Sequence, residues 1–189
     1  MSGDIGVRDV AAGLDLDRRY TIADLYDLPE DGRRYELVGG WLIVSPMARR
    51  LHQVGCQQLG RLLENVVPPE LFVFGLAINV DDPERTHFEP DLTVVRRDFA
   101  TIENGDLPLL AVEVRSPSTA GRDAILKRSG YARLGVPSYW LFDVDVPSIR
   151  VLEWRSGEYD DVAYAEGDQA LSLERPFSVT VVPADLIRV

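Results

Sequence analysis

Two carboxylates sit inside apolar, strand-like runs. Asp91 lies in Phe88-Glu89-Pro90-Asp91-Leu92-Thr93-Val94-Val95, and Glu113 in Leu109-Leu110-Ala111-Val112-Glu113-Val114-Arg115. Burying such a charge without a partner costs on the order of several kcal/mol, so each acid needs a cation. Nineteen of the basic residues are arginine and one, Lys127, is lysine. Lysine is a compact, tunable point charge that the planar, permanently charged guanidinium cannot replace. Two acids and such a cation fit a site where a divalent metal activates water and a lysine assists. On a strand, residues two apart share a face, so Glu113 and Arg115 point one way and Val112 and Val114 the other. If the two runs are neighbouring strands, Asp91 and Glu113 repel unless a divalent cation sits between them. A structural alternative stays open: Asp91 caps a turn after Pro90, and Glu113 pairs with Arg115 or another arginine.

Lys127 weighs on this choice. Projected at about 100° per residue, Ala120, Ala124, Tyr131, Ala132 and Leu134 form one apolar arc, with Lys127 inside it beside Tyr131. A lysine on a core-facing arc either snorkels to the rim or meets an acid, and inward placement favours the acids. His52 and Cys56 are four apart on one helix face, but no third group to orient a thiol nucleophile is visible. His87 reads as a turn residue, and Tyr139 and Trp140 as packing residues. Neither a phosphate-cradling glycine loop nor a serine-nucleophile elbow occurs.

These side chains must be held by strands and two helices. Residues 1–19 are polar and without usable periodicity, predicting a loose N-terminal arm ahead of a single domain over 20–189. Thr21 is placed to cap a short helix through Leu28. Arg34 to Val38, Gly39-Gly40 and Trp41 to Val44 read as a hairpin. Leu51, Val54, Leu59, Leu62, Leu63 and Val66 recur at helical steps from Arg49 to Val67, before Pro68-Pro69. Strands are predicted over Leu71 to Val80, Phe88 to Val95 and Leu109 to Val114. A helix from Thr119 to about Leu134 follows, then strands over Ser138 to Phe142 and Ile149 to Trp154. Shorter strand-like runs come next, and a helical turn at Pro183 to Leu186. This order predicts an α/β fold: a mixed β-sheet flanked by helices, with an N-terminal hairpin and a C-terminal strand extension.

At 189 residues, 46% hydrophobic and 27% charged, the chain is long enough for a substantial core. No apolar stretch approaches the ~20 residues needed to span a bilayer, so a cytoplasmic protein with no membrane partner is expected. The net charge of −11 at first opposes a nucleic-acid partner. Its distribution answers the objection: residues 1–31 carry eight acids against three bases, 143–189 ten against four, and 32–142 thirteen of each. The neutral middle holds both carboxylates, Lys127 and the arginine pairs at Arg33, Arg49 and Arg96, whereas the acidic termini could meet a basic partner. One cysteine and two histidines suggest no zinc-type cluster, so a hard metal held by oxygens is expected.

Several ordered motifs then become specific. They are Tyr35-Glu36-Leu37-Val38-Gly39-Gly40, Ser45-Pro46 with His52 opening a helix, and Pro90-Asp91. Val112-Glu113-Val114-Arg115-Ser116-Pro117-Ser118-Thr119 follows, then Asp123 with Lys127 and Tyr131, and Gly135-Val136-Pro137-Ser138-Tyr139-Trp140-Leu141. From about Tyr20 onward the chain resembles the Uma-type putative restriction endonuclease family, within the PD-(D/E)XK nuclease superfamily. The resemblance implies a restriction-endonuclease-like core and Mg²⁺-dependent hydrolysis of DNA phosphodiester bonds, Mn²⁺ being a plausible substitute. It implies Asp91 and Glu113 as metal ligands, assisted by the Val114 carbonyl. Glu36 and His52 also match motif positions, the first as a third carboxylate or partner of Lys127, the second orienting water or phosphate. One departure stands out: the superfamily usually has lysine where this chain has Arg115. Arginine can clamp a phosphate but cannot act as a base; the resemblance implies that in the Uma-type pattern the lysine sits on the following helix, where Lys127 occupies the matching position. The rival reading is a non-catalytic interaction module that keeps the nuclease fold. Paired copies, a possible homodimer, would suit cutting both strands of a duplex.

Overall fold

The computed structural model describes residues 14–75, 77–79, 85–97, 107–115 and 122–188, except for the side chains of 79 and 122–124. The first helix, α1 (Ile22–Tyr26), opens on a capping box in which Asp24 N donates to Thr21 Oγ1 and Thr21 N to Asp24 Oδ2. It is shorter than expected because the Asp27 and Leu28 amides bond to carbonyls three residues back, tightening the end into a turn. Of the predicted loose arm, residues 1–13 lie outside the described residues. Its end is pinned: Arg18 stacks on Tyr20 and Arg19 on Trp41, at 3.9 and 4.0 Å from the ring centres.

Strands β1 (Arg34–Val38) and β2 (Trp41–Ser45) form the expected antiparallel hairpin. Gly39 and Gly40 turn it, with φ of 55° and 83°, a conformation open to glycine because it lacks Cβ. Helix α2 (Arg50–Val66) follows its predicted period.

Two predicted strands each split in two, and the split builds the site. The 71–80 run becomes β3 (Leu71–Phe74) and β4 (Ile78–Asn79), interrupted at Gly75. The 88–95 run becomes β5 (His87–Phe88) and β6 (Leu92–Arg96), interrupted at Pro90, which has no N–H to give a ladder. In both cases the first and second pieces belong to different sheets. A small sheet runs β2-β1-β5-β4. The main sheet runs β10-β9-β8-β7-β6-β3 and uses β7 (Leu110–Arg115), β8 (Ser138–Asp143), β9 (Ser148–Arg155) and β10 (Glu158–Glu166). Asp91 stands where the chain passes from one sheet to the other.

In the main sheet β7 and β8 are parallel, joined through α3 (Arg122–Leu134), and all other neighbours are antiparallel. The predicted start of α3 at Thr119 lies outside the described residues. The two faces of β7 divide the core. Val112 and Val114 meet Leu59 and Leu63 of α2, with Trp140 and Phe142 of β8. Ala111 faces the other way, among Tyr131 of α3, Tyr139, and Val38, Ile43 and Phe88 of the small sheet. Helix α3 thus packs one face, with Tyr131 and Ala132, against both sheets and leaves Ile125, Arg128, Ser129 and Arg133 exposed. Gly130 lets it approach, since a Cβ there would collide with the Phe88 ring. A hairpin of β11 (Leu171–Leu173) and β12 (Val179–Val181) and a final 3-10 turn (Pro183–Ile187) form the C-terminal extension. Val179, Val181 and Leu186 join the α2-side core.

Candidate active site

Glu113 falls on the α3 face of β7 by strand alternation, with its side chain buried. Lys127, one turn before Tyr131 on α3, reaches it: Nζ donates to Oε1 at 3.0 Å and Oε2 at 2.9 Å. The Tyr131 hydroxyl donates to Oε1 at 2.9 Å. From the small sheet, fully buried Glu36 brings Oε2 to 2.7 Å from Lys127 Nζ, and its Oε1 accepts the Glu89 N–H at 2.8 Å. Lys127 and Glu36 form a close ion pair, and among the described residues no other group reaches Glu36 Oε2. The inward lysine expected from the helical projection is therefore found, and the acids it meets are Glu113 and Glu36. Glu113 takes Lys127 as its partner, not Arg115.

Asp91 is almost fully buried at the junction of the sheets and is held from three sides. Its Oδ1 accepts from Arg34 Nη2 at 2.8 Å, and its Oδ2 accepts the Val114 N–H of β7 at 2.8 Å. His52 Nε2 of α2 lies 3.3 Å from Oδ2. Arg34 also donates to the Glu89 carbonyl at 3.0 Å, tying down the Glu89-Pro90-Asp91 crossover. Beside it opens a cleft of about 310 Å³ lined by Arg34, Gly75, Ala77, Glu89, Pro90 and Asp91.

The electrostatics follow from three acids sharing two fixed cations. Burial pushes Glu113 up to about 7 despite Lys127, and the nearby Glu36 and Asp91 add to the rise. Burial opposes the charge of Lys127, but Glu113 and Glu36 outweigh it and raise its pKa above the ordinary value. For Asp91, burial is overcome by the hydrogen bond to His52, the Arg34 guanidinium and the Val114 N–H, and the carboxyl is held below its usual range. The cluster sets three acids against two fixed cations, and Glu113 is the acid whose carboxyl this arrangement raises.

The fold also brings together residues that the sequence left apart. Cys56 Sγ lies 3.5 Å from His52 Nδ1, and one ligand atom each from His52, Cys56 and Asp91 lie within 4.8 Å of one another. This corrects two expectations. A nitrogen, sulfur and oxygen donor set does exist, because Asp91 supplies the ligand that counting histidines and cysteines could not. A third group also stands behind His52, yet the thiol is no nucleophile: burial, then Asp91, push it up to about 12. Arg34 was missed although it had a signal, since it shares a strand face with Glu36. His87 lies in a strand rather than a turn, 3.2 Å from Glu89. Tyr139 and Trp140 are buried in the core as expected. Among the described residues, nothing hydrogen-bonds to the buried Nε of Arg115. Ser116 to Thr119 of the expected motif lie outside the described residues, as does the Asp123 side chain.

Among the described residues, the three ligand atoms that lie within 4.8 Å of one another come from His52, Cys56 and Asp91. Asp91, Glu113 and Glu36 offer carboxylate oxygens, the matched donor type for Mg²⁺. These three carboxylates face two cations, Arg34 and Lys127.

No curated protein matches this chain. A solved structure described as a putative nuclease belonging to DUF820, from Anabaena variabilis ATCC 29413, shares its fold. The TM-score is 0.65 over 88% of this chain and 97% of that one, at 21% identity. The family model described as "Uma2: Putative restriction endonuclease" matches residues 22–185, from α1 to the final turn, and the chain belongs to that family.

Proposed function

We propose that this protein is a metal-dependent endonuclease that hydrolyses DNA phosphodiester bonds, with Asp91, Glu113 and the Val114 carbonyl as ligands of Mg²⁺ or, as a substitute, Mn²⁺. The observation that carries this reading is the convergence of Lys127 on Glu113 and Glu36 beside an Asp91 fixed to the Val114 N–H. When bound, the ion polarises the scissile phosphate and lowers the pKa of an attacking water. The chain's own groups do the rest. Glu36 and Tyr131 hold Lys127 and Glu113 in place, so that the ammonium can position the water or neutralise developing charge. Arg115 offers a guanidinium to a phosphate oxygen, and His52 orients the Asp91 carboxylate. The proposed setting is the cytoplasm; no helix among the described residues is long and apolar enough to cross a membrane.

The test is cleavage of duplex and single-stranded DNA with and without Mg²⁺, comparing the native protein with Asp91→Ala. Metal-dependent cleavage that survives Asp91→Ala in a folded protein would overturn the assignment. One observation favours the rival interaction module: protein groups already engage both Asp91 oxygens and both Glu113 oxygens. Calorimetric titration with Mg²⁺ or Mn²⁺ separates the two, since the module need bind neither ion.

A further inference from the structure

His52 and Cys56 lie one turn apart on α2, the i, i+4 spacing at which a helix presents two ligands to one metal. Asp91 completes the set from the sheet junction. His52 Nδ1 and Cys56 Sγ are 3.5 Å apart, His52 Nε2 and Asp91 Oδ2 are 3.3 Å apart, and the three chosen ligand atoms fall within 4.8 Å. Ligands around tetrahedral zinc, bound at about 2.0 to 2.3 Å, lie roughly 3.3 to 3.8 Å apart; because Cys56 and Asp91 face different nitrogens of the His52 ring, closure on one of them needs the ring to turn and the farther ligand to move by roughly 1 to 1.5 Å. Solvent reaches the trio from the His52 side, whose side chain is 15% exposed against 3% for Asp91. A mixed nitrogen, thiolate and carboxylate set selects borderline metals over Mg²⁺. The negative surplus of the neighbouring acids attracts a dication of either kind.

We propose that His52, Cys56 and Asp91 form a second cation site for a thiophilic divalent metal such as Zn²⁺, and that its occupation withdraws Asp91 from the Mg²⁺ centre and inhibits cleavage. As the sulfur–metal bond forms, the thiol proton leaves to water, and no electron is transferred. The cation turns His52 and Asp91 from mutual partners into co-ligands. Asp91 Oδ2 is the oxygen facing His52 and also the one fixed to Val114, so the two metals compete for it. The inhibitory half rests on the nuclease reading above; the binding half does not.

Co²⁺ serves as the spectroscopic probe. Titration of the metal-free protein should give a thiolate-to-cobalt charge-transfer band saturating at one equivalent, and added Zn²⁺ should bleach it. Cys56→Ala, and Cys56→Ser as a closer match in volume, should abolish the band and weaken Zn²⁺ binding more than about 10-fold, since even ligand-supporting residues contribute that much. Zn²⁺ should inhibit Mg²⁺-supported cleavage by the native protein, and the Cys56 variants should need at least about 10-fold more Zn²⁺ for the same inhibition. A cobalt spectrum without the band, or unchanged Zn²⁺ affinity in folded Cys56 variants, overturns the site. A band with no Zn²⁺ inhibition of active enzyme overturns the competition. If no cleavage occurs with any metal, the nuclease reading fails, and the cobalt spectrum still decides the binding half.

Discussion

Replacing Glu113 by glutamine tests the charge balance of the site without changing its shape. The carboxyl is pushed from an ordinary 4.5 to about 7 by burial and by Glu36 and Asp91. At 1.36 kcal/mol per unit, this corresponds to about 3 kcal/mol of folding stability. The sign follows from proton binding. Between about pH 4.5 and 7 the folded protein holds the Glu113 proton while the unfolded chain has released it, so stability falls as pH rises through this window. Below it both states are protonated and the penalty is absent; above it the penalty is complete. The Glu113→Gln side chain is permanently neutral and lacks this slope. Its amide still accepts from Tyr131 or Lys127, and an unmatched N–H₂ group costs about 1 to 3 kcal/mol at every pH. Urea unfolding in metal-free buffer should therefore show the variant gaining about 2 to 3 kcal/mol on the native protein between about pH 5 and pH 8. Any stabilisation of the native protein by Mg²⁺ should vanish in the variant. A stability difference that does not change with pH would refute the charge balance drawn for this cluster.

Lys127→Met leaves Glu36 and Glu113 buried without their shared cation and should cost about 3 to 5 kcal/mol in chemical denaturation; unchanged stability would mean that the ion pairs carry no net weight. Gly55→Ala places a Cβ 2.7 Å from Val144 and 2.9 Å from Phe142, where α2 meets β8, and should lower stability by about 1 to 3 kcal/mol by overpacking. Cys56, with its thiol pushed up to about 12, should resist iodoacetamide at neutral pH in the folded protein and react on unfolding, as mass spectrometry can follow.

Local pattern carried much of this protein. Alternation put Glu113 on the opposite face of β7 from Val112 and Val114, and helical projection put Lys127 on the inward arc of α3. Two glycines with the required backbone freedom placed the β1–β2 turn. These features depend on periods of two and 3.6 residues, which any contiguous stretch displays. Asp91 was readable as an acid in an apolar run, but its surroundings were not. The runs 71–80 and 88–95 look like single strands because apolar character continues across Gly75 and Pro90, and strand periodicity says nothing about which sheet each half joins.

That choice of sheet decided the site. Because the chain crosses between sheets at Glu89-Pro90-Asp91, Asp91 meets Arg34 from the hairpin, His52 and Cys56 from α2, and the Val114 amide from β7. By itself the sequence determined the two long helices, the hairpin, the inward lysine and the two acids in apolar runs, since these follow from side-chain chemistry at fixed local spacing. Only the tertiary structure decided the partners. Pairing Glu36 with Lys127, or Cys56 with Asp91, depends on the packing of segments far apart in the chain, and the shifts at Glu113 and Cys56 arise from the burial this packing creates.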